Sequence, residues 1–457
     1  MKNHKEYLCA LAIITCAASC SDKNVIPQPY TPPPAIESPY TVKIENGTFE
    51  DGLSGWTIKD YYNGSNALLE IVEGQGVQDS KCLKIQQLPE NGKCCIAAEQ
   101  RLTGLDPDQM YRITARIRYS DIPSGEGTGP VVFSPNTNQY WNSSRYLYGT
   151  DLKQWTTVYS DFLSDDNGEA TISVALGFWQ GGMANGGRST GTAYFDNISV
   201  KKVSDELFSM EGEHVKLYIE PSKVIVPGNV LSLWLERLDM MYLSYAELMG
   251  AVPHNGKKLG ILTTHGMYSG YWALAGYPIL WSINYTAVED SFAQINDHDD
   301  WCFGILHEMG HVFNLGNSSW NWNDEMFANF RMHYGLAMNN GRVYMDGTDG
   351  KRIYTGNEIL DMYKIDYDRT IGTTVNDNGI HYMLARLAND SIIGWEPFRR
   401  TFRYLQQNGG NGGGSHDKFL FFLKTLSRYA TEVHGRNIDV MDFFTAQELE
   451  SIRKQLQ

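Results

Sequence analysis

Ile305-Leu-His-Glu-Met-Gly-His-Val-Phe313 places two histidines four residues apart, with a glutamate directly after the first. Phe303, Leu306 and Phe313 recur at helical spacing through it, so the segment reads as an amphipathic helix with one buried side. Residues i and i+4 share a helix face, which lets His307 and His311 hold one metal ion while Glu308 points toward the neighbouring cleft. A glutamate so placed polarises a metal-bound water, which is the chemistry of a zinc hydrolase.

A catalytic zinc takes three protein ligands and leaves a position for water, so two histidines are not enough. Asn314 and Asn317 stand where a metzincin carries a glycine and a third histidine, which excludes that class. Downstream, Trp320-Asn-Trp-Asn-Asp-Glu-Met-Phe-Ala-Asn-Phe330 offers Glu325 as the third ligand. The segment from about 324 to 340 reads as a helix with Met326, Phe327, Phe330 and Tyr334 on its apolar side. Asn329 falls one turn beyond Glu325, where gluzincins such as thermolysin carry a polar group that orients a zinc histidine. Asp324 is the rival third ligand, although it is better used to cap the helix.

At 457 residues the chain exceeds the size of a single core, so two structured domains plus a targeting segment are expected. Its 38 basic and 53 acidic residues give a net charge of -15, which argues against nucleic acid as a partner. Aromatic content is 12%, with 27 tyrosines and 11 tryptophans, and suits either sugar-stacking surfaces or aromatic-rich β-cores.

Residues 1–19 read as a signal peptide: Lys2 and Lys5 precede an apolar stretch from Leu8 to Ile14, followed by Ala17-Ala18-Ser19-Cys20. Small residues before a cysteine resemble the bacterial lipobox. That resemblance implies cleavage before Cys20, lipidation of Cys20 and anchoring to an envelope membrane. The following Ser21-Asp22-Lys23 resembles surface-export signals of Gram-negative gut bacteria, which implies a place on the outer membrane at the cell surface. An ordinary secretory peptide is the alternative. No other segment approaches the roughly 20 apolar residues needed to span a bilayer. Residues 20–40 carry Pro27, Pro29, Pro32, Pro33, Pro34 and Pro39 and read as an extended tether. Cys82, Cys94, Cys95 and Cys302 remain beyond it, and export permits a bridge from Cys82 to Cys94 or Cys95 if those segments pair. Cys302 reads as a buried small hydrophobe.

Residues 41–203 alternate in short runs, such as Tyr111 to Arg118, Thr171 to Leu176 and Thr192 to Val200, between Gly, Asn and Asp clusters. The pattern predicts an antiparallel β-sandwich. Its ends, Ile44-Glu-Asn-Gly-Thr-Phe-Glu-Asp-Gly52 with Trp56, and Ala193-Tyr-Phe-Asp-Asn-Ile-Ser-Val200, resemble the jelly-roll carbohydrate-binding modules of galactose-binding-like topology. The resemblance implies a structural calcium at Asn46, Glu50 and Asp196 and a glycan ligand. Tyr140, Trp141 and Trp179 are candidate stacking residues. A sandwich that only packs against the rest of the chain is the alternative, since fold does not establish sugar binding.

Residues 204–457 change period. Leu231, Trp234, Leu235, Leu238, Met241, Tyr242, Tyr245, Leu248 and Met249 recur at helical spacing, Lys258 to Thr264 and Tyr277 to Asn284 read as strands, and helices dominate beyond residue 300. The run Asn408-Gly-Gly-Asn-Gly-Gly-Gly-Ser415 reads as a flexible loop. The fold class expected is therefore multidomain: a jelly-roll sandwich followed by an α+β metallopeptidase domain of gluzincin type.

His307, Glu308, His311, Glu325 and Asn329, with Gly276-Tyr-Pro-Ile279 before them and His381 to Leu387 and Gly394 to Phe402 after them, resemble the enhancin-like metallopeptidases of family M-60. This implies one catalytic zinc on His307, His311 and Glu325, with Glu308 as general base, and hydrolysis of peptide bonds in mucin-like O-glycosylated proteins. It also implies that an edge strand, best sought in Ala273 to Leu280, aligns the substrate. His381 and Tyr382 are candidate oxyanion donors, although histidines and tyrosines on helices are more often packed or solvated. The alternatives are an inactive glycan-binding adhesion lipoprotein, against which the intact Glu308 argues, and a zinc aminopeptidase acting on short peptides.

Overall fold

Alternating inward and outward residues build the first part of the molecule as antiparallel strands: β1 (Thr41–Val42), β2 (Thr57–Asp60), β3 (Leu68–Val72), β4 (Cys82–Gln87), β5 (Ile96–Leu102), β6 (Met110–Ser120), β7 (Pro130–Phe133), β8 (Leu152–Leu163), β9 (Ala170–Leu176) and β10 (Gly191–Lys202). In this computed structural model the described residues are 41–457 apart from 126, 136–141, 150, 179–186, 204–205, 267–270, 285, 317 and 346–351. The signal peptide, the tether and Cys20 lie outside the described residues, as do Tyr140, Trp141 and Trp179.

One sheet runs β3-β4-β10-β6-β8, with β1 on β10, and the other runs β2-β5-β9-β7. Between them lie the inward residues, among them Ile113, Ala115 and Ile117 of β6, Ile172 and Val174 of β9, and Ala193 and Phe195 of β10. The bridge that export would permit from Cys82 to Cys94 or Cys95 is not made, and all three thiols are buried and free. The reason is registry: Cys82 pairs with Val72 in one sheet, whereas Cys94 bridges to Ser189 just ahead of the other.

A second sheet system follows, of β11 (Phe208–Glu211), β12 (Val215–Ile219), β13 (Leu259–Thr264), β14 (Ala273–Leu274) and β15 (Ile279–Ser282), in the order β11-β12-β13-β15-β14. Its centre is parallel, β12 to β13 to β15, and the crossover between β12 and β13 is helix α1 (Gly228–Met249). A parallel sheet needs cover on both faces. Leu217, Ile219, Ile261, Ile279 and Trp281 pack toward Leu231, Trp234, Leu235 and Leu238 of α1 in the large core. Tyr218, Leu262 and Leu280, on the opposite face, pack with Met110, Val203 and Leu207, so the sandwich supplies the second cover. Residues 40–457 accordingly form one compact unit.

Helices α2 (Ala287–His298), α3 (Phe303–Val312) and α4 (Asp324–Asn339) come next, then the ribbon of β16 (Arg342–Tyr344) and β17 (Ile353–Thr355). The chain ends in α5 (Ile359–Thr370), α6 (Asp377–Asn389), α7 (Trp395–Asn408), α8 (Ser415–His434) and α9 (Ala446–Leu456). The glycine-rich run between α7 and α8 is anchored at its start, where Gly410 donates its N–H to Ser319 Oγ at 2.7 Å and a Cβ would lie 2.5 Å from Trp320 Cα, whereas Asn411, Gly412 and Gly414 are exposed. Among the described residues no helix is long and apolar enough to cross a membrane.

Candidate metal centre

Helix α3 starts at a fixed point. Asp299 ends α2 in the left-handed region, and Cys302 precedes α3 at a φ of 67°. The buried Asp300 carboxylate accepts the Tyr344 N–H at 2.9 Å and backbone N–H groups of Trp301 and Cys302. Burial nevertheless pushes its carboxyl up to about 6. Cys302 is buried, as its sequence context suggests.

The second ligand-bearing helix lies directly against the first. A Cβ on Gly310 would stand 2.6 Å from the Ala328 carbonyl oxygen, so only glycine permits this approach of α3 to α4. The fully buried Arg331 reaches back across the contact and donates to the Gly310 carbonyl at 3.0 Å.

This packing brings three donor atoms together. His307 Nε2 is 3.0 Å from Glu325 Oε2, His311 Nε2 is 3.1 Å from His307 Nε2, and His311 Nε2 is 3.4 Å from the same Glu325 oxygen. A tetrahedral ion with ligands at about 2.0 Å requires donor atoms about 3.3 Å apart, so the triangle has the dimensions of one face of a zinc site. Proton placement agrees. His307 Nδ1 lies 2.8 Å from Asn329 Oδ1, and His311 Nδ1 lies 2.6 Å from Asp324 Oδ2. With each Nδ1 donating to an oxygen, both Nε2 atoms face one another and Glu325 Oε2, and each can give that carboxylate a proton or turn a lone pair to a shared metal ion. Among the described residues, His307, His311 and Glu325 make the one cluster of three His, Cys, Asp or Glu side chains that could hold a metal.

Electrostatics follow the same pattern. Burial pulls His311 down, but hydrogen bonds to Asp324 and Glu325 outweigh it and push its pKa up to about 9. Hydrogen bonds from His307 and His311 hold the Glu325 carboxyl far below the usual range. Burial pushes the Glu308 carboxyl up, although His307, His311 and the Ala275 N–H oppose the shift.

Asp324 is not the cap, and its carboxylate meets His311 at Nδ1 rather than joining the three converging donor atoms. Asn323 caps α4 by accepting the Met326 N–H at 2.9 Å, which frees Asp324 to orient His311. Its other oxygen takes Asn321 Nδ2 at 2.9 Å and faces Arg331 Nη1 at 3.5 Å. The signal that could have found Arg331 is its place two turns after Asp324 on one helix face.

The remaining expected residues separate. The edge strand is shorter than the stretch from Ala273 to Leu280: only β14 lies at the edge, whereas Ile279 and Leu280 belong to the internal β15. His381 is not at the metal centre. It is sealed in the helical core against Phe330, His333 and Tyr363, because its helix face is apolar. The Tyr382 ring lies tilted against Tyr367 of α5, with ring centroids 4.9 Å apart. In the sandwich, Glu50 and the buried Asp196 approach one stretch of chain: Lys81 N–H reaches Glu50 Oε1 at 3.0 Å, and Val77 N–H reaches Asp196 Oδ2 at 2.7 Å. Asn46 instead spends its side chain inside its own turn, accepting from Asp51 N–H and donating to the Gly52 carbonyl.

No protein-family model matches the sequence, and no curated protein is similar to it by sequence. Among solved structures, a functionally unknown conserved protein from Bacillus anthracis str. Ames aligns with a TM-score of 0.41 at 12% identity, over 77% of this chain and 70% of that one. TmCBM61 in complex with β-1,4-galactotriose aligns with a TM-score of 0.24 at 15% identity, over 35% of this chain and 97% of that one. The CBM22-2 xylan-binding domain of Paenibacillus barcinonensis Xyn10C aligns with a TM-score of 0.25 at 16% identity, over 34% and 97%.

Proposed function

We propose that the chain is a zinc-dependent endopeptidase of gluzincin type that cleaves peptide bonds in mucin-like O-glycosylated proteins at a bacterial cell surface. The observation that carries the reading is the convergence of His307 Nε2, His311 Nε2 and Glu325 Oε2, with Glu308 beside them. Bound there, zinc would supply a Lewis acid for the scissile carbonyl and an acidified water. Glu308, raised by burial yet held by the Ala275 N–H, is suited to take a proton from the attacking water and return it to the leaving nitrogen. Asn329 and Asp324 hold the two imidazoles in the tautomer that ligation needs. The edge of β14 presents backbone groups against which an extended substrate can add as a strand. The glycoprotein substrate and the glycan-binding role of the sandwich rest on the resemblances carried by the zinc motif and by the turn at Asn46.

The test is a digest of glycosylated and deglycosylated mucin by wild type and by Glu308→Ala, read by mass spectrometry with zinc content measured in parallel. Wild type should cleave the glycosylated form alone, and the variant should keep its zinc and cleave neither. Equal cleavage of both substrates would remove the glycoprotein preference. A wild type without zinc and without cleavage would remove the peptidase.

A further inference from the structure

The sandwich does more than cover the second sheet; it grips the end of β13. Asn142, buried in the loop ahead of β8, accepts the Thr264 hydroxyl at 2.7 Å and donates its own amide to the Asp161 carbonyl. Asp161 is pinned in turn by a bidentate pair with Arg112, Nε to Oδ1 at 2.7 Å and Nη2 to Oδ2 at 2.8 Å, both side chains being buried. Gly266 lies so close that a Cβ would stand 1.8 Å from the Ser143 carbonyl oxygen. The His265 ring meets Tyr159 of β8 edge-on at 5.6 Å.

The gripped residue is one strand away from the catalytic edge. Thr264 pairs with Ser282 of β15, and its carbonyl accepts the Ile283 N–H at 3.0 Å. The Ser282 N–H is given to the carbonyl of Trp272 at 3.0 Å, and Trp272 directly precedes β14. The Trp272 ring lies on Gly304 of the zinc helix, where a Cβ would come within 2.2 Å of it. Just past β14, the Ala275 N–H meets the Glu308 carboxylate.

We infer that Asn142 and Thr264 are positioning residues for the peptidase: the sandwich, through this buried hydrogen bond, sets the register of β15 and hence of the edge strand beside Glu308. On this inference, which builds on the endopeptidase reading, the sandwich is an obligatory part of the catalytic unit whatever it binds.

The test compares Thr264→Val, which removes the hydroxyl at nearly constant volume, with Thr264→Ser, which keeps it, in the full mature chain. Thr264→Val should exchange the backbone amides of residues 272–275 faster for deuterium, by at least roughly threefold, since the hydroxyl both donates to Asn142 and accepts the Gly266 N–H. Its zinc content should be unchanged. KM for an extended peptide should rise by a similar factor with kcat less affected, and Thr264→Ser should behave as wild type. Unchanged exchange in Thr264→Val, or a Thr264→Ser that matches it, would overturn the inference. The exchange measurement needs no turnover, so a wild type that cleaves no peptide defeats the proposed function and leaves this result to be read by itself.

Discussion

Asp324 Oδ2 stands 2.6 Å from Nδ1 of His311, and this contact turns the other imidazole nitrogen toward His307 and Glu325. Removing it should leave the helix cap intact, since that is Asn323, but it strands the buried Arg331 cation, so the melting temperature of the variant should fall as well. Asp324→Ala should weaken zinc binding by about 10- to 100-fold, as loss of partners that orient metal-bound histidines does. Asp324→Asn keeps an oxygen that accepts from Nδ1–H and should recover part of the loss. Competition against a chromogenic chelator reads both, and wild-type affinity in Asp324→Ala would reject the assigned role.

Gly310 sets the distance between the two helices that carry the ligands. In Gly310→Ala the new methyl would meet Ala328 backbone at 2.6 to 3.0 Å, and backbone cannot swing away as a side-chain tip does. The helices must part, at a cost of about 1 to 3 kcal/mol for overpacking. Glu325 then moves away from the two histidines, so thermal stability and zinc affinity should fall together. A variant with a wild-type melting temperature and full affinity would show that the approach of α3 to α4 does not set the site.

The cluster that could hold a metal was legible because its residues sit on two helices whose period places them: His307 and His311 by i+4, and Glu325 and Asn329 by i+4 again. What the spacing could not show was the partner of each Nδ1. Asn323 and Asp324 are adjacent and both suit an N-cap, and only the approach of α3 decides that Asp324 turns to His311. His381 was open for a related reason: a histidine one turn from apolar residues reads alike whether it lines a cleft or a core, and here it is packed. The alternating runs gave the sandwich its strands, but alternation within a strand says nothing about which sheet it joins. Whether the segments of Cys82 and Cys94 pair was therefore open, and they do not: Cys82 pairs with Val72 and Cys94 with Ser189.

The core histidines make the fold acid-sensitive. Burial drives His333 down to about 4 and His381 well below its ordinary value, with each ring near the other and, among the described residues, no carboxylate against either. The unfolded chain takes up these protons near pH 6.5, whereas the folded protein does not take up the one on His333 until about pH 4. Stability is thus full above about pH 6.5 and is lost as pH falls toward 4, by roughly 3 kcal/mol from His333 alone. His381→Phe should flatten the decline, and urea titrations at pH 7.5 and 5 measure it. An equal decline in the variant would place the acid sensitivity elsewhere.

Arg331 separates stability from metal affinity. It is fully buried, its Nε and Nη2 lack hydrogen-bond partners, and burial pulls its pKa down to about 10. It is therefore still charged at neutral pH, and holding that charge costs the folded state roughly 3 kcal/mol. Truncating one member of a buried ion pair usually strands the other. Here the partner is not stranded, because the Asp324 side chain is 35% exposed and keeps Asn321 and His311. Arg331→Met, close in volume, should leave the metal-free protein as stable as wild type or more so. The Gly310 carbonyl loses its donor and Asp324 its cation, so zinc affinity should fall several-fold. A metal-free variant that melts well below wild type would show that Arg331 holds the helices together rather than tuning the site.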